Sequence, residues 1–177
     1  MQQLTLKVNK LQQLTSGIKS FEFVSPVGAD LPVFTAGAHL DFHLDNGLIR
    51  SYSLANNPEE SNRYVTAVLR EETGDGGSKY MHDNVTVGDE LKVTGPSNNF
   101  ELVDISGTHI LLGGGIGITP LLSMGYKLKA ENRPCHLHYC TKSREETAFI
   151  EEVEAIFGEN LTFYQSGGDP SLSLIPI

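Results

Sequence analysis

Before residue 103 the chain reads as short alternating segments separated by turns. After it, apolar runs alternate with helical patterns. Leu4-Thr-Leu-Lys-Val8 has a period of two, and Ile18-Lys-Ser-Phe-Glu-Phe-Val24 follows it less strictly. In Ala38–Leu44 the pattern is clearest, with Ala38, Leu40, Phe42 and Leu44 facing a core and His39, Asp41 and His43 facing water. Asp45-Asn46-Gly47 tolerates positive φ, so the strand should return through Leu48–Leu54 as a hairpin. Further strands are expected at Arg63–Arg70 and Glu90–Thr94, with Gly95-Pro96 ending the last one. Many short strands in so short a stretch predict a small antiparallel β-barrel, because closure removes exposed edges.

The second part predicts a β-α-β-α-β order and a parallel sheet. Thr108–Gly113 is a buried-type strand, and Thr119-Pro120 has the residue types of an N-cap and a first helical position. Leu121, Leu122, Met124 and Leu128 give that helix its apolar side. His136–Thr141 is the next strand. Ser143 and Glu146 have capping-box spacing before the helical stripe Phe149, Ile150, Val153, Ile156 and Phe157. Gly158 stops the helix and Leu161–Gln165 forms a third strand. The expected fold class is therefore β plus α/β, divided into residues 1–103 and 104–177. A doubly wound sheet usually has about five or six strands, so the second domain reads as incomplete, and Ser171–Ile177 ends the chain abruptly. An exposed apolar sheet edge is expected from this.

Three glycine- or arginine-bearing stretches are candidate binding elements. Gly113-Gly-Gly-Ile-Gly-Ile-Thr-Pro120 lies between a strand and a helix start, where free amides and the helix dipole attract phosphate. It departs from G-x-G-x-x-G, with Ile118 at the third glycine, and a tight strand-to-helix connection is the alternative. Arg50-Ser-Tyr-Ser53 combines a guanidinium for phosphate, a flat ring and hydroxyls, against the alternative of an ordinary half-exposed strand. Gly76-Gly77-Ser78 opens a short helix to His82 and offers either another anion site or a plain turn with a capping serine.

Composition narrows the choice. The 177 residues carry 13 Lys+Arg against 22 Asp+Glu, a formal charge of −9, which argues against non-specific nucleic-acid or anionic-membrane binding. No apolar run has the length of a membrane span and the N-terminus lacks a signal-peptide pattern, so a cytoplasmic location is expected. Cys135 and Cys140 cannot build a disulfide framework, and with no third cysteine following they are not read as iron–sulfur ligands. His136 and His138 share a strand face. Without a further ligand they read as strand packing rather than zinc binding. His82 reads as a helix-end residue rather than a phosphate ligand. No Ser/His/Asp or Cys/His arrangement is defensible.

Taken in order, Arg50–Pro58, Arg63–Arg70, Gly76–Ser78, Gly113–Met124, Tyr139–Thr141 and Thr147–Phe149 resemble the ferredoxin–NADP reductase superfamily. Within it they are most similar to the oxidoreductase subunits of phthalate dioxygenase and vanillate O-demethylase systems. The resemblance implies a flavin in the barrel, FMN in this subgroup and FAD in most of the superfamily. Arg50 would pair with its phosphate, Tyr52 would pack on the ring and Ser53 would lie near N5, with Ser51 in the same strand. Backbone around Ala67–Leu69 would meet the pyrimidine edge, and Gly76, Gly77 and Ser78 would complete the phosphate site. It also implies a nicotinamide nucleotide on Gly114, Gly115, Ile116, Gly117 and Thr119, with the loop from Thr141 to Arg144 near the adenosine ribose. The subgroup favours NADH, whereas Lys142 and Arg144 offer charges suited to the 2′-phosphate of NADPH. Implied function is passage of electrons from NADH through flavin to a [2Fe–2S] centre and a Rieske-type oxygenase, with no catalytic side chain required. The superfamily's Cys-Gly-Pro segment and the subgroup's C-terminal [2Fe–2S] ferredoxin domain are missing from this sequence, so the iron–sulfur partner is expected to be separate or missing. A flavin-binding module without hydride transfer is the alternative.

Overall fold

In the computed structural model, which describes residues 2–167, two sheets carry the fold. The first contains β1 (Gln3–Gln13), β2 (Ile18–Val24), β3 (His39–His43), β4 (Ile49–Ser53), β5 (Tyr64–Leu69) and β6 (Glu90–Ser97). Their order is β4-β3-β6-β1-β2-β5, with antiparallel neighbours throughout. The sheet curls until its outer strands meet just past β4. There the Ala55 N–H donates to the Val65 carbonyl at 2.8 Å, and the Thr66 hydroxyl donates to the Ser53 carbonyl at 2.8 Å. This join lacks a full ladder, so the barrel is open on that side. Its inside holds Leu6, Phe21, Phe23, Leu40, Phe42 and Val93, all fully buried. The helix α1 (Gly77–Asn84) adds Met81 to the same core.

The alternation in Ala38–Leu44 holds: those two residues, Leu40 and Phe42 are buried, and the turn follows with Gly47 at φ 83°. One expectation fails at Gly95-Pro96. The bond is cis, and β6 continues through it to Ser97. The reason is tertiary: Ser97 pairs with His39 of β3, so the ladder carries the strand past a dipeptide that locally reads as a stop.

The second sheet contains β7 (His109–Gly114), β8 (Cys135–Thr141) and β9 (Leu161–Gln165), parallel and in that order. The helices α2 (Ile118–Ala130) and α3 (Ile150–Phe157) form the crossovers. Leu122, Leu128, Val153 and Phe157 of these helices pack with Leu137 and Tyr139 of the sheet. Ala36, Ala55 and Ala67 from the barrel side join this second core, which binds the two sheets together.

Both predicted helix starts in this part are corrected. A 3-10 turn at Gly115–Gly117 leads into α2, so Thr119 and Pro120 stand inside its first turn. The Thr119 hydroxyl donates back to the Ile116 carbonyl at 3.1 Å instead of accepting from the helix. Proline is tolerated there because first-turn amides have no intrahelical acceptor. The Ser143–Glu146 capping box does not form. The α3 helix starts at Ile150, after Phe149 adopts a left-handed φ of 56°. Hydrogen bonds hold the preceding segment as a loop: Thr141 and Thr147 share one at 2.9 Å, and Thr147 donates to the Ser143 carbonyl at 2.8 Å. The expectation about Ser171–Ile177 lies outside the described residues.

Candidate functional site

A cavity of about 370 Å³ opens where β4, β5, the start of α1 and the glycine loop after β7 converge. From β4 come Arg50 and Tyr52, which alternation places on one face. From β5 come Ala67 and Leu69, and from the start of α1 come Gly77 and Ser78. Ile116 reaches in from the other sheet's loop. Seven of the predicted binding residues thus line one space, although 66 positions separate Arg50 from Ile116 in the chain.

Each wall has a physical reason. Tyr52 lies against Phe42 with ring centroids 5.7 Å apart, which fixes its plane over the barrel core. Burial pushes its hydroxyl up to about 12, so it stays protonated across the physiological range. β5 is an outer strand, so one of its backbone edges is free of a neighbouring ladder. Val65 spends that edge on Asn56 and Ala55, and Ala67 and Leu69 present the same edge to the cavity. Gly76 begins α1 at a left-handed φ of 90°. A Cβ on Gly77 would stand 2.6 Å from Cγ of Arg50, so glycine lets the guanidinium stem lie across the helix start. The first amides of that helix have no intrahelical partner. A guanidinium, unpaired amides and a flat aromatic face fit a phosphorylated planar ligand such as a flavin mononucleotide portion.

The remaining predicted residues are placed elsewhere. The Ser51 hydroxyl donates to Asp41, Ser53 lends its carbonyl to Thr66, and neither side chain lines the cavity. Gly114, Gly115 and Gly117 form the connection into α2. A Cβ on Gly115 or Gly117 would meet nothing within 4 Å, so the space before the loop is open. The Tyr139 hydroxyl holds this loop through the Gly115 carbonyl at 3.1 Å. Thr119 and Thr141 are buried and spend their hydroxyls inside the fold. Arg144 is exposed and pairs with Glu154 at 3.1 Å.

Sequence reasoning passed over Glu71, Gly74 and Asp75, which also line the cavity. Asp75 lies 3.3 Å from Arg50. Its only signal was its position inside a glycine-rich loop. His82 turns away, taking the Val68 carbonyl at 2.8 Å and packing edge-on to Phe21. His136 and His138 bond Thr162 and Tyr164, and the described residues hold no cluster of three or more potential metal ligands. No described helix is long and apolar enough to cross a membrane.

Residues 5–102 match the oxidoreductase FAD-binding domain family. The chain belongs to that family. It is 45% identical over 157 residues to a vanillate O-demethylase oxidoreductase of Acinetobacter baylyi, covering 89% of this chain and 49% of that protein. It is 42% identical over 170 residues to phthalate dioxygenase reductase of Burkholderia cepacia, covering 95% of this chain and 53% of that one. A solved phthalate dioxygenase reductase, described as modular for electron transfer from pyridine nucleotides to [2Fe-2S], superposes with a TM-score of 0.91. That match has 42% identity and covers 96% of this chain and 53% of the other. The chain spans about half the length of the curated relatives it matches.

Proposed function

We propose that this chain is the flavin- and nicotinamide-binding portion of an oxygenase reductase component. In this reading it takes hydride from NADH into flavin and passes single electrons to an iron–sulfur acceptor serving a Rieske-type oxygenase. The carrying observation is the convergence of Arg50, Tyr52, Gly77 and Ser78 on one cavity, with Ile116 of the glycine loop at its wall. The similarity to reductases of vanillate and phthalate systems supports the choice of reaction.

In this division residues 1–103 hold the flavin and 104–177 contribute the nicotinamide site. Arg50 and the α1 amides of Gly77 and Ser78 bind the phosphate. Tyr52 packs on the ring and remains neutral, which keeps a negative charge away from it. The free backbone edge at Ala67 and Leu69 orients the pyrimidine side. The Gly114–Gly117 loop leaves room for a pyrophosphate, with Thr119, whose hydroxyl donates to the Ile116 carbonyl, at the nicotinamide end. Bound flavin supplies the hydride-accepting and one-electron chemistry. FMN is the preferred form, because Arg50 is the cation and Tyr52 the aromatic residue among the cavity walls, enough for one phosphate and one ring system. NADH is preferred over NADPH on the resemblance to the phthalate and vanillate system reductases.

Anaerobic titration of the FMN-reconstituted chain with NADH tests this. Bleaching of the visible flavin band is expected. Flavin that binds, stays oxidised with NADH and bleaches with dithionite would reduce the chain to a flavin-binding module.

A further inference from the structure

Arg50 is committed to a carboxylate of its own chain. One guanidinium nitrogen lies 3.3 Å from Asp75 Oδ2, and another donates to the Ile49 carbonyl at 2.8 Å. Arg50 is the one cationic residue among the cavity walls, which also include Glu71 and Asp75. Nearby cations are engaged elsewhere: Lys79 with Glu72 at 3.2 Å, and Arg70 with Glu72 and Asp83. Asp75 immediately precedes Gly76, the residue that caps α1, so its carboxylate sits by the anion-attracting end of that helix. The same guanidinium and the same helix end are what a ligand phosphate would use. One anion site therefore has two claimants.

We propose that Asp75 competes with the flavin phosphate for Arg50, and so sets how tightly the chain retains its flavin. This rests on the flavin reading above. The Asp75 side chain is 90% exposed, so its ion pair is weak and a phosphate can displace it. After displacement the carboxylate stays tethered beside the bound phosphate and repels it. The chain then holds a phosphorylated flavin less tightly than its arginine and helix terminus allow.

The test is fluorescence titration of the flavin-free 177-residue chain with FMN and, separately, with riboflavin, which lacks the phosphate. Asp75→Asn should bind FMN roughly threefold to tenfold more tightly than wild type, with riboflavin affinity unchanged. The gain should shrink as salt is raised, and it should be smaller when Arg50 is also replaced by alanine, because only the direct repulsion of the phosphate then remains. Unchanged FMN affinity in Asp75→Asn overturns the proposal while leaving the flavin reading intact. An equal gain for riboflavin also overturns it, because a neutral ligand does not feel the carboxylate. Failure of wild type and variants alike to bind either flavin overturns both this proposal and the functional reading beneath it.

Discussion

In the six-stranded sheet the inner faces of the strands cover one another. Leu6 of β1, Phe21 of β2, Phe42 of β3 and Val93 of β6 are all fully buried, and Met81 of α1 joins them. Among the described residues the three-stranded sheet is covered on one face. There α2 and α3 bury Leu137 and Tyr139, while Ile110 and Leu112 on the opposite face of β7 remain 63% and 56% exposed. A curled antiparallel sheet supplies both walls of its own core. A parallel sheet must borrow each wall from a separate layer, and the described residues supply one. The candidate cavity lies at the junction, with walls from β4, β5 and the loop leading into α1, and Ile116 from the other sheet's side.

That contrast can be broken by mutation. Phe42→Ala should cost about 3–5 kcal/mol in urea unfolding, since it empties a fully buried site in the self-covered core. A cost below about 1 kcal/mol would mean the barrel core is looser than its burial indicates. Arg50→Ala should weaken FMN retention more than tenfold, about 1.4 kcal/mol, with the urea midpoint of the flavin-free chain unchanged. Equal retention by wild type and variant would remove Arg50 from the site.

A smaller effect is expected from His82. Burial holds its pKa below the usual 6.5, helped by neighbouring Lys19 and Arg70 and opposed by the Val68 hydrogen bond and Asp83. A folded-state pKa below the unfolded one means its contribution is complete above pH 6.5 and falls as pH drops through the unfolded value. Urea midpoints measured at stepwise lower pH should therefore decline less steeply in His82→Gln than in wild type. Identical slopes would show that this ring does not contribute. Least affected should be Leu112→Ser, expected within about 0.5 kcal/mol of wild type. A cost above about 2 kcal/mol would show that this face is covered in solution, which sedimentation velocity would detect if the cover is a second copy.

Strands whose side chains alternate between water and core were legible because the period of two is written in the residues themselves. Ala38–Leu44 with its Asp45-Asn46-Gly47 turn is the plainest case. Helix starts were less legible. Ser143 and Glu146 have capping-box spacing, but Thr141 and Thr147 hold that segment as a loop until Phe149 turns the chain into α3. The spacing is a local signal, and bonds that depend on the neighbouring strand overrode it. At the site, the cavity residues proposed to meet ligand through charge, ring or glycine were visible as types. Glu71 and Asp75 were not, because an exposed carboxylate in a loop looks like any other until its partner is known.

By itself the sequence determined the alternation that makes the barrel, the β-α-β-α-β order of the second part and the family, through motifs in a fixed order. These depend on residues near one another in the chain, or on the order alone. Tertiary structure alone decided that β6 runs through Gly95-Pro96, that α3 begins at Ile150, and that Ile116 stands at the same cavity as Arg50. It also decided that Asp75 faces that arginine. Apart from the start of α3, which the nearby Thr141–Thr147 bond holds back, each of these turns on a hydrogen bond, an ion pair or a packing contact between segments separated in sequence, and such contacts exist only once the chain has closed on itself.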